Sequence, residues 1–310
     1  MILSASKIKT LNTCSFLFHC SYILKLPRTS NTGANLGTIT HEILECLQNK
    51  RHYKHYEKLT SGNKGGTDDV ITRFIRKRLK QLGEKESEIV TVYSFLKVAL
   101  DTDFFLEGFE LGEPELKFDI QNENPKYHIL GFMDMHGFKD DILKVVDYKS
   151  QRQRFQKPEM DYNVQALMYL LAAKKLWPNA KKGFVNFIML RFKNNPIQVA
   201  SYSDDALKGF ELYLEYLSAY LSDWTYEKAI SKFAANDPTK KMLCGAAEPG
   251  LKADGSPKWI CPSRNAFKYF SLLDKSGNVI KSEFKEEDLK PKEGETVKEM
   301  RYAGCAYFNK

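Results

Sequence analysis

HILGFMDMHGFKDDILKVVDYKS, residues 128–150, is the stretch from which the fold is read. Residues 128–138 and 142–150 have the composition of two strands, with a polar turn at Asp140 and Asp141 between them. A two-residue turn pairs residues whose numbers sum to 281, which sets Asp134 directly opposite Asp147. Side chains so placed lie roughly 5 Å apart on one face. Lys149 shares the face of Asp147, because side chains alternate along a strand. Opposed carboxylates repel, and a bound divalent cation turns that repulsion into coordination, since Mg²⁺ takes a few carboxylate oxygens together with water and phosphate. A lone D-x-K is most simply a solvated hairpin edge. Here the flanks GFMD and VVDYK are apolar, so the charges interrupt strands that otherwise read as buried, and buried charges need partners.

Such a face suits metal-assisted hydrolysis of a phosphodiester, in which cations activate water and stabilise the attacking and leaving oxygens. A lysine beside them holds that water or offsets charge in the transition state.

Further motifs run in the same direction. Gly131-Phe132-Met133-Asp134 followed by Val146-Asp147-Tyr148-Lys149-Ser150 resembles the core of the PD-(D/E)XK nuclease superfamily in its RecB-like branch, which includes CRISPR-associated exonucleases. The segment GTITHEILE, residues 37–45, resembles that branch's helical histidine motif, and Gln165 with Tyr169 resembles its Q-x-x-x-Y motif. Residues 4–22 resemble its N-terminal segment. Four motifs in the family's order are more specific than any one alone. The resemblance implies His41, Asp134 and Asp147 as ligands of Mg²⁺ or Mn²⁺, with the backbone carbonyl of Tyr148. It implies Lys149 as the residue assisting the attacking water, and Gln165 and Tyr169 as supports of the site or the DNA. Glu115 precedes the motif strands, where some members carry an additional acidic site residue.

The fold expected is α/β, a central mixed sheet flanked by helices in a restriction-endonuclease-like core, with a helical N-terminal part and a cysteine-containing C-terminal extension. Residues 1–230 are expected to form the nuclease core, with a helical insertion over about 50–110, and residues 231–310 the extension. The chain has 310 residues, 43% hydrophobic and 28% charged, the balance of a soluble globular protein. A formal charge of +8 suits a polyanionic partner such as DNA. Lys7, Lys9 and Lys25 break the apolar N-terminus, so neither a membrane span nor a cleavable leader is expected, and a cytoplasmic location follows.

Helices are expected over 6–22, 37–48, 67–82, 92–106, 161–177 and 200–220, and strands over 115–120 and 183–192. Within them Cys46 is expected in the core, Val70, Phe74, Ile75 and Leu79 inward, and His52 and His55 on a solvated face. Residues 61–66 read as a flexible loop without a phosphate-binding pattern. The loop 151–157 carries Arg152, Arg154 and Lys157 around Phe155, either a plain charged loop or a grip for a DNA strand.

Six cysteines are too few for a secreted disulfide scaffold. In some RecB-like proteins one N-terminal and three C-terminal cysteines hold a 4Fe-4S cluster, and the resemblance implies Cys14, Cys244, Cys261 and Cys305 for that role, with Cys20 a rival for the N-terminal place. Their C-terminal spacing departs from the family's compact one, although thiolate ligands can come from anywhere in a fold. Zinc on four thiolates and unconnected buried thiols are the alternatives. A metal-dependent DNA exonuclease is the activity that the resemblance implies, in recombination, repair or processing. An endonuclease would use the same residues, and a DNA-binding scaffold with a vestigial site is the reading from another class. No helicase motif is present, so a helicase or recombination partner would be a separate chain.

Overall fold

In the computed structural model, the hairpin within residues 128–150 forms in the register that its turn length predicts. Met135 pairs with Val146, His136 with Val145 and Lys139 with Ile142. Asp140 turns the chain with a positive φ of 53°. The first strand is not continuous. It bends at Asp134, and the residues on either side of the bend join different sheets.

The structure describes residues 1–61, 66–251, 253 and 258–309, so most of the 61–66 loop lies outside the described residues. The helices are α1 (Ala5–Thr13), α2 (Ser15–Phe18), α3 (Thr32–Gln48), α4 (Tyr53–Thr60), α5 (Asp69–Gln81) and α6 (Ile89–Leu100). They continue with α7 (Lys157–Asp161), α8 (Val164–Leu176), α9 (Asp204–Ser222) and α10 (Tyr226–Ala229). The strands are β1 (Glu110–Leu111), β2 (Leu116–Glu123), β3 (Lys126–Met133), β4 (Met135–Lys139) and β5 (Ile142–Lys149). They continue with β6 (Lys182–Met189), β7 (Ile197–Ala200), β8 (Phe267–Leu273), β9 (Val279–Glu283) and β10 (Thr296–Tyr302). Two compact units result, one of Met1–Ser4 and Ser30–Ser218, the other of Ala5–Thr29 and Ala219–Lys310.

The first unit holds a five-stranded sheet in the order β1-β4-β5-β6-β7. It is mixed, because β5 and β6 run parallel while the other pairs are antiparallel. This is the expected α/β architecture, a central mixed sheet flanked by helices. Strand β5 sits in the middle with both faces covered, which is why it reads as nearly continuous apolar sequence. Val146 and Tyr148 join the core built with α3, α5 and α6, where Ile39, Ile43, Ile75, Leu79, Phe95 and Leu96 are buried. Leu143, Val145, Asp147 and Lys149 alternate to the opposite face. On that side α8 packs against β6, and Leu170 fills the space that a Cβ at Gly183 would need.

Several local expectations are corrected. Residues 115–120 are not the first strand of the main sheet. That place belongs to β1, while β2 pairs with β3 in a separate two-stranded ribbon and Glu115 precedes it at φ 50°. Cys46 is exposed, and Leu44 takes its place in the buried stripe of α3. On α5 it is Ile71, not Val70, that faces inward. His55 is buried, with Nδ1 2.9 Å from Asp68 Oδ2, and Asp68 also caps α5 by accepting from Val70 and Ile71 N–H groups. The helix expected over 92–106 is α6, which starts earlier and ends at Leu100. Phe155 is buried against Phe187, so it is a core residue and no strand-gripping aromatic.

In the second unit the helix expected over 6–22 breaks at Cys14. The extended backbone there lets its sulfur accept from Leu17 N–H at 3.4 Å, and a π-helical turn over His19–Ile23 follows α2. Ile8, Leu11, Ser15 and Phe18 are nonetheless all buried. Strands β10, β8 and β9 form an antiparallel sheet in that order. Its core holds Cys14, Phe16, Cys20, Leu26, Tyr269 and Tyr302.

Candidate active site

The bend at Asp134, the end of β5, the middle of α3 and the first turn of α8 bring the expected site residues together. Gly37 explains how α3 comes so close. A Cβ there would lie 2.5 Å from Ser150 Oγ, so only glycine lets the helix approach the end of β5. One turn on, His41 reaches the strand: Nε2 lies 2.9 Å from the Tyr148 carbonyl oxygen and Nδ1 3.3 Å from Asp134 Oδ2. That same Asp134 oxygen accepts the Tyr148 N–H at 2.8 Å. Glu115 joins them, its backbone N–H donating to the Asp134 carbonyl at 3.1 Å. Among the described residues, His41, Glu115 and Asp134 form a group whose ligand atoms all lie within 4.8 Å of one another.

Asp147 belongs to an adjoining network. Asn163 caps α8 by accepting from the N–H groups of Gln165 and Ala166, and this fixes Gln165 at the helix start. Gln165 Nε2 donates to Asp147 Oδ1 and to the Tyr169 hydroxyl, each at 2.6 Å, and that hydroxyl donates to the same Oδ1 at 2.8 Å. Gln165 Oε1 accepts from Lys149 Nζ at 2.8 Å, and Nζ stands 2.5 Å from Asp147 Oδ2. The Phe118 ring meets Tyr169 edge-on and occupies the space that a Cβ on Gly131 would take, 2.3 Å from that ring.

The electrostatics are those of crowded acids. Burial works against the charged form of His41, but its bond to Asp134, the charges of Asp134 and Asp147 and the Tyr148 carbonyl raise its pKa to about 9. Burial, then the charge of Asp134, pushes the Glu115 carboxyl up. Asp147 is also raised, by burial that outweighs the opposing charge of Lys149. Burial and the charge of Asp147 hold the Tyr169 phenol well above its ordinary value, so it stays a donor.

The donor set fits a divalent cation. It offers carboxylates, an imidazole and a backbone carbonyl, ligands suited to Mg²⁺ or, with the imidazole, Mn²⁺. Asp147 Oδ2 is buried with the Lys149 ammonium as its one close partner, and the protonated His41 stands where positive charge is wanted.

Of the residues expected for a second metal, Cys14, Cys244, Cys261 and Cys305 all line one small apolar cavity of about 30 Å³ in the second unit. All are free thiols. Burial raises Cys261 to about 11 and pushes Cys244 and Cys305 up as well. No three of these sulfurs lie within 4.8 Å of one another.

With this geometry in place, the comparison with known families is decisive. A family model of the PD-(D/E)XK nuclease superfamily matches residues 2–246. The chain belongs to that superfamily. Among solved structures, this PD-(D/E)XK nuclease is similar to a protein from Eubacterium rectale named "Putative exonuclease", at 12% identity and a TM-score of 0.43, over 82% of this chain and 92% of that one. It is also similar to the protein SSO0001, at 16% identity and a TM-score of 0.27, over 68% of this chain and 97% of that one. At these scores it is the family match that assigns the chain. No curated protein matches it.

Three contributors to the site are absent from the expected set, two without a sequence signal and one with it. Gly37 and Gly131 were read as motif letters, and their steric role follows only from packing. Asn163 was legible, since Asn directly before an apolar helical run is a capping signal.

Proposed function

We propose that this PD-(D/E)XK nuclease is a metal-dependent deoxyribonuclease acting as an exonuclease. The observation that carries the reading is the junction of two clusters: His41, Glu115 and Asp134 on one side, and Asp147 bridged through Gln165 to Lys149 on the other. His41, Asp134, Asp147 and the Tyr148 carbonyl would hold Mg²⁺ or Mn²⁺, with Glu115 completing the acidic wall. When bound, the cation supplies Lewis acidity toward a phosphoryl oxygen and lowers the pKa of a water. Gln165 and Tyr169 fix the Asp147 carboxylate in one rotamer, so its second oxygen, paired with Lys149, keeps one direction. Gln165 also aims the Lys149 ammonium, which orients the attacking water or offsets charge on the phosphorane-like transition state. Preference for DNA ends rests on the RecB-like resemblance of the motifs, and so does work in recombination or repair beside a separate helicase. For the cysteines we propose a 4Fe-4S cluster, whose ligands would be Cys14, Cys244, Cys261 and Cys305. Reduced thiols and a cluster suit the cell interior. Among the described residues no helix is long and apolar enough to cross a membrane.

Cleavage of end-labelled linear and closed-circular DNA, with and without Mg²⁺ or Mn²⁺, tests the reading. Metal-dependent loss of linear DNA alone is the expected result. Cutting of circles replaces exonuclease by endonuclease, and no cleavage with retained binding makes the protein a scaffold.

A further inference from the structure

Beyond the ligand clusters, an arginine that none of the roles above uses stands beside the C-terminal end of β5. Strands β5 and β6 run parallel, with Lys149 beside Met189 and the Leu190 N–H donating to the Lys149 carbonyl at 2.9 Å. The chain therefore leaves β6 next to the lysine of the site, and two residues after Met189 comes Arg191. Its Nε donates to the Ser150 carbonyl at 2.7 Å, and its guanidinium lies over the Phe95 ring at 4.9 Å. A terminal nitrogen comes within 3.5 Å of where a Gly33 Cβ would stand, and Ser150 Oγ donates to the Gly33 carbonyl at 3.2 Å. Arg191 is thus gripped by its Nε and its flat face. Among the described residues neither terminal nitrogen has a hydrogen bond, and no carboxylate forms an ion pair with it.

The charges around it point the same way. Arg152, two residues beyond Ser150, is exposed, and among the described residues it forms no ion pair either. Its positive charge acts on Arg191, which burial has already pushed below the ordinary arginine value, while Glu88 opposes only weakly. The Arg152 charge disfavours charged Arg191 in the free protein, and Glu88 offsets only part of that cost. An anion bound between the two guanidiniums reverses the sign of that interaction. A fixed, planar, always-charged fork suits phosphate better than a mobile lysine does.

We infer that Arg191, with Arg152 beside it, grips a backbone phosphate of the DNA strand next to the phosphodiester presented to Lys149. The inference rests on the nuclease reading of the same site and assigns these residues to positioning, not to chemistry. Arg191 sets the register of the strand, and Arg152 adds charge at the rim.

The test is binding of a labelled single-stranded oligonucleotide in EDTA, so that nothing is cut, across a series of KCl concentrations. The proteins are wild type, Arg191→Gln, Arg191→Lys and Arg152→Gln, each checked for an unchanged melting temperature. Each phosphate contact contributes about 0.7 to the slope of log affinity against log salt on single strands. Arg191→Gln is expected to lower the slope by about that amount and weaken binding several-fold, with Arg191→Lys in between. Arg152→Gln lies at the surface and gives the reading independently of any folding defect. In a second arm, single neutral methylphosphonate linkages are walked along the oligonucleotide. One position is expected to weaken wild-type binding and leave Arg191→Gln unaffected, a pattern that a merely structural arginine does not produce. Unchanged slopes in a wild type that binds and cleaves DNA overturn the phosphate grip alone. A wild type that neither binds nor cleaves overturns the nuclease reading, and the grip with it.

Discussion

Around Asp147 polar side chains hold one another, whereas around Cys261 the sulfurs meet apolar side chains and backbone N–H groups. One carboxylate oxygen of Asp147 has two donors, both nitrogens of His41 are engaged, and Gln165 ties the acid to Lys149. The acidic site therefore keeps its geometry with protonated His41 and Lys149 as its cations. The cysteine cavity is lined by Phe16, Leu17, Phe233 and Leu243, and Cys14 Sγ accepts one backbone N–H. Thiols raised by burial stay neutral and have little reason to converge unless they share a ligand. The contrast teaches that the first site is preorganised, so damage to it should appear as lost chemistry. If the second holds the cluster proposed for it, it depends on that occupant, and damage there should appear as lost stability.

The sharpest way to break that contrast is Lys149→Ala. It removes a side-chain charge at the site's edge while β5 keeps its buried residues, so cleavage of end-labelled DNA should fall by roughly 10³-fold, the upper range for one transition-state-stabilising donor. The melting temperature should fall modestly, because buried Asp147 Oδ2 loses its ion-pair partner, while the fold and DNA binding are retained. Full cleavage by the well-folded variant removes Lys149 from the mechanism.

Cys261→Ser addresses the other side. An anaerobic preparation of the wild type should be brown with broad visible absorption, and the variant should lose both colour and iron. Its unfolding free energy should drop by more than the roughly 1 kcal/mol expected for disturbing one buried polar contact. A colourless wild type containing zinc replaces the cluster, and a colourless, metal-free one leaves buried thiols only.

The acidic site has its own proton linkage. His41 titrates near 9, above its ordinary 6.5, so its protonated form stabilises the metal-free protein fully below about pH 6.5. That contribution is lost as pH rises through about 9. Cation binding needs neutral imidazole, so the apparent Mn²⁺ affinity should climb by up to about tenfold per pH unit toward pH 9 and then level off. Calorimetric titration across this window checks it, and a flat profile removes His41 from the ligand set.

Gly37→Ala weighs two small opposing effects. Alanine favours a helix by about 1 kcal/mol over glycine, but the new methyl would meet Ser150 Oγ at 2.5 Å and Ser150 Cβ at 3.2 Å. Overpacking of this kind costs about 1–3 kcal/mol. The net expectation is a slight loss of stability in chemical denaturation and weaker Mn²⁺ binding as α3 and His41 move off β5. A gain in stability with unchanged metal binding shows that the close approach is not required.

These differences also explain what was legible beforehand. The hairpin register followed from turn length, and the shared face of Asp147 and Lys149 from the two-residue period of a strand. Gln165 and Tyr169 were placed together by helical spacing. All are local rules acting over a few residues. The bend at Asp134 was not legible, because it arises where β3 leaves one sheet and β4 enters another. Glu115 gained its place from a left-handed backbone at that same junction. Phe155 looked solvated among Arg152, Arg154 and Lys157, yet it packs on Phe187, and Gln198 pairs with its backbone N–H and carbonyl, all distant in sequence. His55 looked equally solvated, and only Asp68 across a loop shows why it is buried.

The smallest expected effect is the most discriminating among the cysteines. On helical periodicity Cys46 falls within the apolar stripe of α3, yet it is exposed, and Ile43, Leu44 and Leu47 complete the buried face. It lies in the first unit, whereas Cys14, Cys244, Cys261 and Cys305 share the cavity of the second. Cys46→Ser should therefore change stability by less than about 0.5 kcal/mol, as surface substitutions do. It should leave the visible spectrum, the iron content and the cleavage rate untouched. Loss of colour in this variant would mean that the ligands are drawn from a different set of cysteines, and the contrast between a preorganised acidic site and an occupant-dependent sulfur site would have to be redrawn around α3.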